Sequence, residues 1–101
     1  MQARIDGTEL VTAKQARLSF RQSIFAAWQH RCAYCDAPAQ SLDHIQPRAR
    51  GGLTVRHNLV PACLRCNRLK GHREVFSWWR LQAWWQPDAQ AALIDWLRSG
   101  E

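Results

Sequence analysis

Two CxxC pairs, Cys32-Ala-Tyr-Cys35 and Cys63-Leu-Arg-Cys66, constrain this chain more than any other feature, and no cysteine lies outside them. A CxxC turn sets two thiols on one side of a tight loop. Two such turns face to face supply the four soft ligands of a tetrahedral Zn²⁺ site. Disulfides and a redox CxxC are the rival readings. A secreted, disulfide-stapled chain wants a leader with a basic start, an apolar run and a small-residue cleavage site, and none opens this sequence. A redox motif wants one pair in a βαβ context, which is missing here. The expectation is a structural zinc held by Cys32, Cys35, Cys63 and Cys66 in a reducing, cytoplasmic setting.

With 101 residues the chain reads as one domain, 1–101, small enough to gain much from a metal staple. No run of about eighteen apolar residues is present, so no membrane-spanning segment is expected. The formal charge of +6 matters less than its placement. Between Ser41 and Arg73 lie Arg48, Arg50, Arg56, Arg65, Arg68, Lys70 and Arg73 against a single acid, Asp43. From Glu74 onward the balance reverses. A basic face around the cysteines suits a polyanion, and nucleic acid is the expected partner, with salt-sensitive contacts to its backbone. A merely solvated basic surface is the plainer alternative.

Along the chain, the first eleven residues read as a loose arm or a short edge strand. A helix over 12–30 has Thr12 as its cap and Leu18, Phe25 and Trp28 near helical spacing. Ser41 to Ile45 reads as a strand, with Asp43 and Ile45 on one face and His44 on the other. A loop carrying Gly51-Gly52 follows, then a second strand over His57 to Val60 that Pro61 ends. A helix opens near Cys63, carries Asn67, Arg68 and Lys70, and stops at Gly71. The stretch 74–100 reads as a Trp-rich tail of two helices, with Val75, Phe76, Trp79 and Ala83 on one apolar face and Ala92, Leu93, Trp96 and Leu97 on the other. Five of the six tryptophans fall there. Core packing is their main account. Neighbours such as Trp78 and Trp79 are not expected to share one interior, which leaves surplus indole for a protein partner or self-association.

Hydrolysing a phosphodiester needs a water that loses its proton, relief of charge at phosphorus and stabilisation of the departing oxygen. A neutral histidine can take the proton near physiological pH. A Mg²⁺-like ion held by oxygen ligands can do the rest. A hairpin ending in a helix can bring Asp43, His44, Asn58 and Asn67 together from three stretches.

The order Cys32-x-x-Cys35, Asp43-His44-Ile45-x-Pro47, Gly51-Gly52, Asn58-Leu59 and Cys63-x-x-Cys66-Asn67-x-x-Lys70-Gly71 resembles the HNH endonuclease family. The resemblance implies an α+β chain with a small ββα-metal core over 32–71, flanked by an N-terminal helix and two C-terminal helices. It implies His44 as general base, Asn58 as the residue that orients the His44 imidazole by a hydrogen bond, and Asp43 and Asn67 as ligands of a catalytic Mg²⁺ or Mn²⁺. It assigns Lys70 and Arg68 to phosphate, and the nearby Arg48, Arg50 and Arg56 extend that basic face. Some family members have histidine where this helix offers Asn67, a neutral oxygen ligand that suits a hard cation. His57 reads as a hairpin residue facing solvent or phosphate, and His72 as a surface histidine. A non-catalytic zinc-stabilised nucleic-acid-binding module and a nuclease directed by a partner protein are the competing functions.

Overall fold

The structure is a computed structural model that describes residues 3–5 and 9–101, with side chains from residue 12 onward. Two short strands, β1 (Ala3–Ile5) and β2 (Glu9–Val11), pair antiparallel ahead of helix α1 (Ala13–Ala27). The remainder of the expected arm lies outside the described residues. Thr12 opens α1 with a reciprocal cap: its hydroxyl accepts from the Gln15 N–H at 3.1 Å, and the Gln15 side chain accepts from the Thr12 N–H at 3.0 Å. Only the far end of α1 reaches the core, through Ile24 and Phe25. Leu18, expected on the apolar face, is exposed together with every residue of α1 from 13 to 23.

The chain then enters the first cysteine turn and strand β3 (Ser41–His44). β3 pairs antiparallel with β4 (Leu59–Ala62), with Ser41 opposite Ala62 and His44 opposite Leu59. The second strand thus sits two residues later than expected. Arg56–Asn58 forms a 3-10 turn ahead of it, and Pro61 lies within it rather than ending it. Pro61 is tolerated because its carbonyl points away from β3 to accept from the Ala33 N–H at 3.0 Å. In an antiparallel strand a residue's N and C=O share a side, so the missing donor costs the β3 ladder nothing. The same bond docks the first cysteine turn onto the hairpin.

Between the strands, Gly51 adopts φ +88° and the Gly52 backbone lies against the Gln46 carbonyl, where a Cβ would not fit. Helix α2 (Leu64–Lys70) crosses the hairpin and stops at Gly71. Helix α3 is a short segment, Val75–Trp79, and α4 (Pro87–Arg98) starts on Pro87 with Asp88 in its first turn and Arg98 in its last. Ala83, expected on the face of the first tail helix, lies beyond α3 and is exposed. Ala92 is exposed as well, so the α4 stripe is Ala89, Leu93, Trp96 and Leu97. Trp78 and Trp79, expected to diverge, are both buried. Tyr34 explains this: its ring meets Trp78 edge-on at 5.4 Å and Trp79 at 5.2 Å, so one aromatic from the cysteine turn packs against both indoles.

Candidate metal centre and active site

Cys63 is both a metal-site candidate and the cap of α2, its sulfur accepting from the Cys66 N–H at 3.3 Å. The four cysteine sulfurs are free thiols lying within 4.8 Å of one another. Those of Cys35 and Cys63 are 3.6 Å apart. A tetrahedron with Zn–S bonds of about 2.3 Å has an S–S edge of about 3.8 Å, so the set fits one zinc ion. The Cys66 thiol draws the Cys32 pKa down to about 5, and the same contact pushes Cys66 up. Zinc binding would replace the thiol protons and leave the four sulfurs as thiolate ligands. Arg65 covers the cluster, its guanidinium beside Cys35 and 4.0 Å from the Trp84 ring centre. This basic residue packs on protein rather than pointing at a ligand.

β3 sends its residues to opposite faces. Asp43 points inward and is 6% exposed, while His44 is half-buried on the other side. One oxygen of Asp43, Oδ2, accepts from the Tyr34 hydroxyl at 2.6 Å and pairs with Lys70 Nζ at 3.0 Å. The other, Oδ1, makes no hydrogen bond among the described residues. Burial first, and then the Asp43 charge, raises the Tyr34 pKa well above its ordinary value, so the phenol keeps its proton and donates.

α2 lies over the same strand face. Asn67 donates its amide N–H to Ser41 Oγ at 2.9 Å, and Lys70, one turn on, reaches Asp43 and donates to the His44 carbonyl at 2.8 Å. The carbonyl oxygen of Asn67 and Oδ1 of Asp43 are hard donors of the kind Mg²⁺ and Mn²⁺ take, so these residues fit such an ion. Lys70 does not fit its expected role. It is fully buried, with its ammonium spent on Asp43 and the His44 carbonyl, so it cannot meet phosphate. Removing one member of a buried pair strands the other's charge, at a cost of about 3–5 kcal/mol. Lys70→Met is expected to lose stability of that order, read from the urea-unfolding midpoint; an unchanged midpoint would show that the pair contributes nothing.

The His44 ring is held by Thr54, whose Oγ1 lies 2.9 Å from Nε2. The Thr54 hydroxyl can accept from or donate to Nε2. In the tautomer where Nε2–H donates, the lone pair sits on Nδ1, which has no partner among the described residues. Burial lowers the His44 pKa, against the pull of Asp43 and with the help of Arg48 and Lys70, favouring the neutral ring. Asn58, expected to orient this imidazole, does something else. Its Oδ1 accepts from the Gln46 N–H at 2.9 Å, and its amide donates to the carbonyls of Gln46 at 3.1 Å and Leu53 at 2.9 Å. Its three side-chain hydrogen bonds among the described residues all go to the loop after His44. That clamp holds the segment bearing Thr54, which sequence reasoning missed.

Of the basic residues, Arg48 is exposed and close enough to His44 to affect its pKa, and Arg68 is exposed on α2. Arg50 is exposed but donates to the His72 carbonyl at 2.7 Å, and Arg56 stacks 4.6 Å from the Trp96 ring centre. His57 is half-buried against Gly100 rather than facing solvent, whereas His72 is at the surface as expected.

Comparison with known proteins agrees with this core. Residues 32–73 match the family model described as HNH endonuclease. Over that stretch the chain is similar to HNH endonuclease domains. A relative, the CRISPR-associated endonuclease Cas9 of Corynebacterium diphtheriae, is 43% identical over 53 residues, covering 48% of this chain. The match spans 5% of that protein's length. Among the described residues, no helix is long and apolar enough to cross a membrane.

Proposed function

We propose that the chain is a metal-dependent endonuclease that hydrolyses DNA phosphodiester bonds, with His44 as the general base. The carrying observation is the His44 imidazole, bonded at Nε2 to Thr54 and with no Nδ1 partner among the described residues, next in sequence to a buried carboxylate. In this reading Nδ1 takes the proton of the attacking water as its oxygen bonds to phosphorus. The P–O ester bond opposite breaks, the departing oxygen leaving on the other DNA fragment and taking a proton from solvent. Thr54 anchors the ring at Nε2, leaving Nδ1 toward the water, and Asn58 holds the loop that carries Thr54. Asp43 and Asn67 would hold a divalent cation, which supplies charge relief at the phosphate and the leaving oxygen. Arg48 and Arg68, exposed beside this strand and helix, are the side chains best placed for the DNA backbone, with Arg50 and Arg56 at its margin.

Incubation with supercoiled plasmid tests the reading. Relaxed or linear product is expected when Mg²⁺ or Mn²⁺ is supplied and none when the cation is withheld. DNA binding without cleavage under any cation would favour a non-catalytic zinc module instead. A second reading keeps the chemistry but places it under a partner's direction. It is favoured by the small share of the Cas9 relative that this domain matches, and by exposed Leu18 and Phe20 on α1. Nicking that appears only with a larger protein present would support it.

A further inference from the structure

Tyr34 lies between the two halves of the site, and nothing assigned so far explains its hydroxyl. It is one of the two residues inside the first CxxC turn, is 1% exposed, and is the chain's one tyrosine. Its backbone carbonyl accepts from Trp79 Nε1 at 2.9 Å, and its ring packs edge-on against Trp78 and Trp79. The hydroxyl, 2.6 Å from Asp43 Oδ2, is held from behind by the cysteine turn and from the side by α3. A buried phenol needs only some acceptor. This one meets the carboxylate proposed for the cation, on the oxygen that Lys70 also contacts, which leaves the other oxygen uncommitted.

We propose that Tyr34 is a positioning residue: it fixes the Asp43 carboxylate so that Oδ1 is presented to the divalent cation, and so makes affinity at that site depend on the zinc-bearing turn. This rests on the nuclease reading above. It gives the cysteine cluster a second task besides stability, because the turn that holds Cys32 and Cys35 also aims a ligand. It gives Trp78 and Trp79 one as well, since they immobilise the ring. Lys70 shares the contact but as a counter-charge, whereas the phenol adds direction without charge.

Tyr34→Phe removes the hydroxyl and little else. Groups that orient a metal ligand typically contribute about 10–100-fold to metal affinity, and Mn²⁺ binding to the variant, followed by water-proton relaxation without DNA, is expected to weaken within that range. Zinc content and the near-ultraviolet signal of the tryptophans should match wild type. Mn²⁺ affinity equal to wild type would overturn the proposal and leave the nuclease reading standing. If wild type itself binds no Mn²⁺, both fall. A second measurement needs no variant to fold. With 3-fluorotyrosine incorporated, the single ¹⁹F resonance reports Tyr34 alone. It should shift with Mg²⁺ and broaden with Mn²⁺, and a resonance indifferent to both at saturating cation would overturn the proposal.

Discussion

Stripping metal from the four cysteines is expected to unfold the protein. Structural zinc contributes about 10–16 kcal/mol of apparent binding free energy in small zinc-finger peptides. A domain of this size has about 5–15 kcal/mol of net stability, so loss of the ion removes as much as the fold has to spare. The geometry says where the damage begins. Cys63 caps α2, Cys32 and Cys35 sit in the turn that docks on Pro61, and Tyr34 inside that turn packs against both α3 tryptophans. Releasing the sulfurs frees all three attachments together. Atomic absorption should find one zinc per chain, and a strong chelator should abolish the helical circular-dichroism signal at room temperature. Melting that is the same with and without chelator would contradict the assignment.

Replacing His44 by Ala is expected to cost about 10²–10⁴-fold in cleavage rate, the usual contribution of a positioned general base. DNA affinity should survive, because it is assigned to the exposed arginines and the ring is half-buried against Thr54. The fold should survive too. His44 joins α2 through its backbone carbonyl, which Lys70 contacts and alanine retains.

Much of this was legible in the sequence because it is written in spacing. The CxxC pairs converge as their spacing implies, and the alternation of Asp43, His44 and Ile45 sets the carboxylate and the imidazole on opposite faces. Lys70 was misread, although the signal was there. Asn67 and Lys70, three apart on one helix, share a face, and Ser41 and Asp43, two apart on one strand, share another. Once α2 runs along β3 in the strand's direction, Lys70 comes to Asp43 while Asn67 meets Ser41. What could not be read were contacts between distant segments. A residue inside CxxC reads as a spacer, and only the packed fold carries the Tyr34 hydroxyl to Asp43. Asn58 does act beside His44, but by clamping loop backbone, and a backbone partner has no residue type to betray it. Trp78 and Trp79 point about 100° apart on a helix. They share an interior because α3 is a single short segment with Tyr34 set edge-on to both.

The central claim is that His44 performs chemistry rather than structure. Single-turnover cleavage of one end-labelled DNA duplex, with wild type and His44→Ala each saturating the DNA in the same divalent cation, tests it most directly. The account predicts equal binding, cutting by wild type, and a rate for the variant lower by about 10²–10⁴-fold. A variant that binds and cuts as fast as wild type would contradict it.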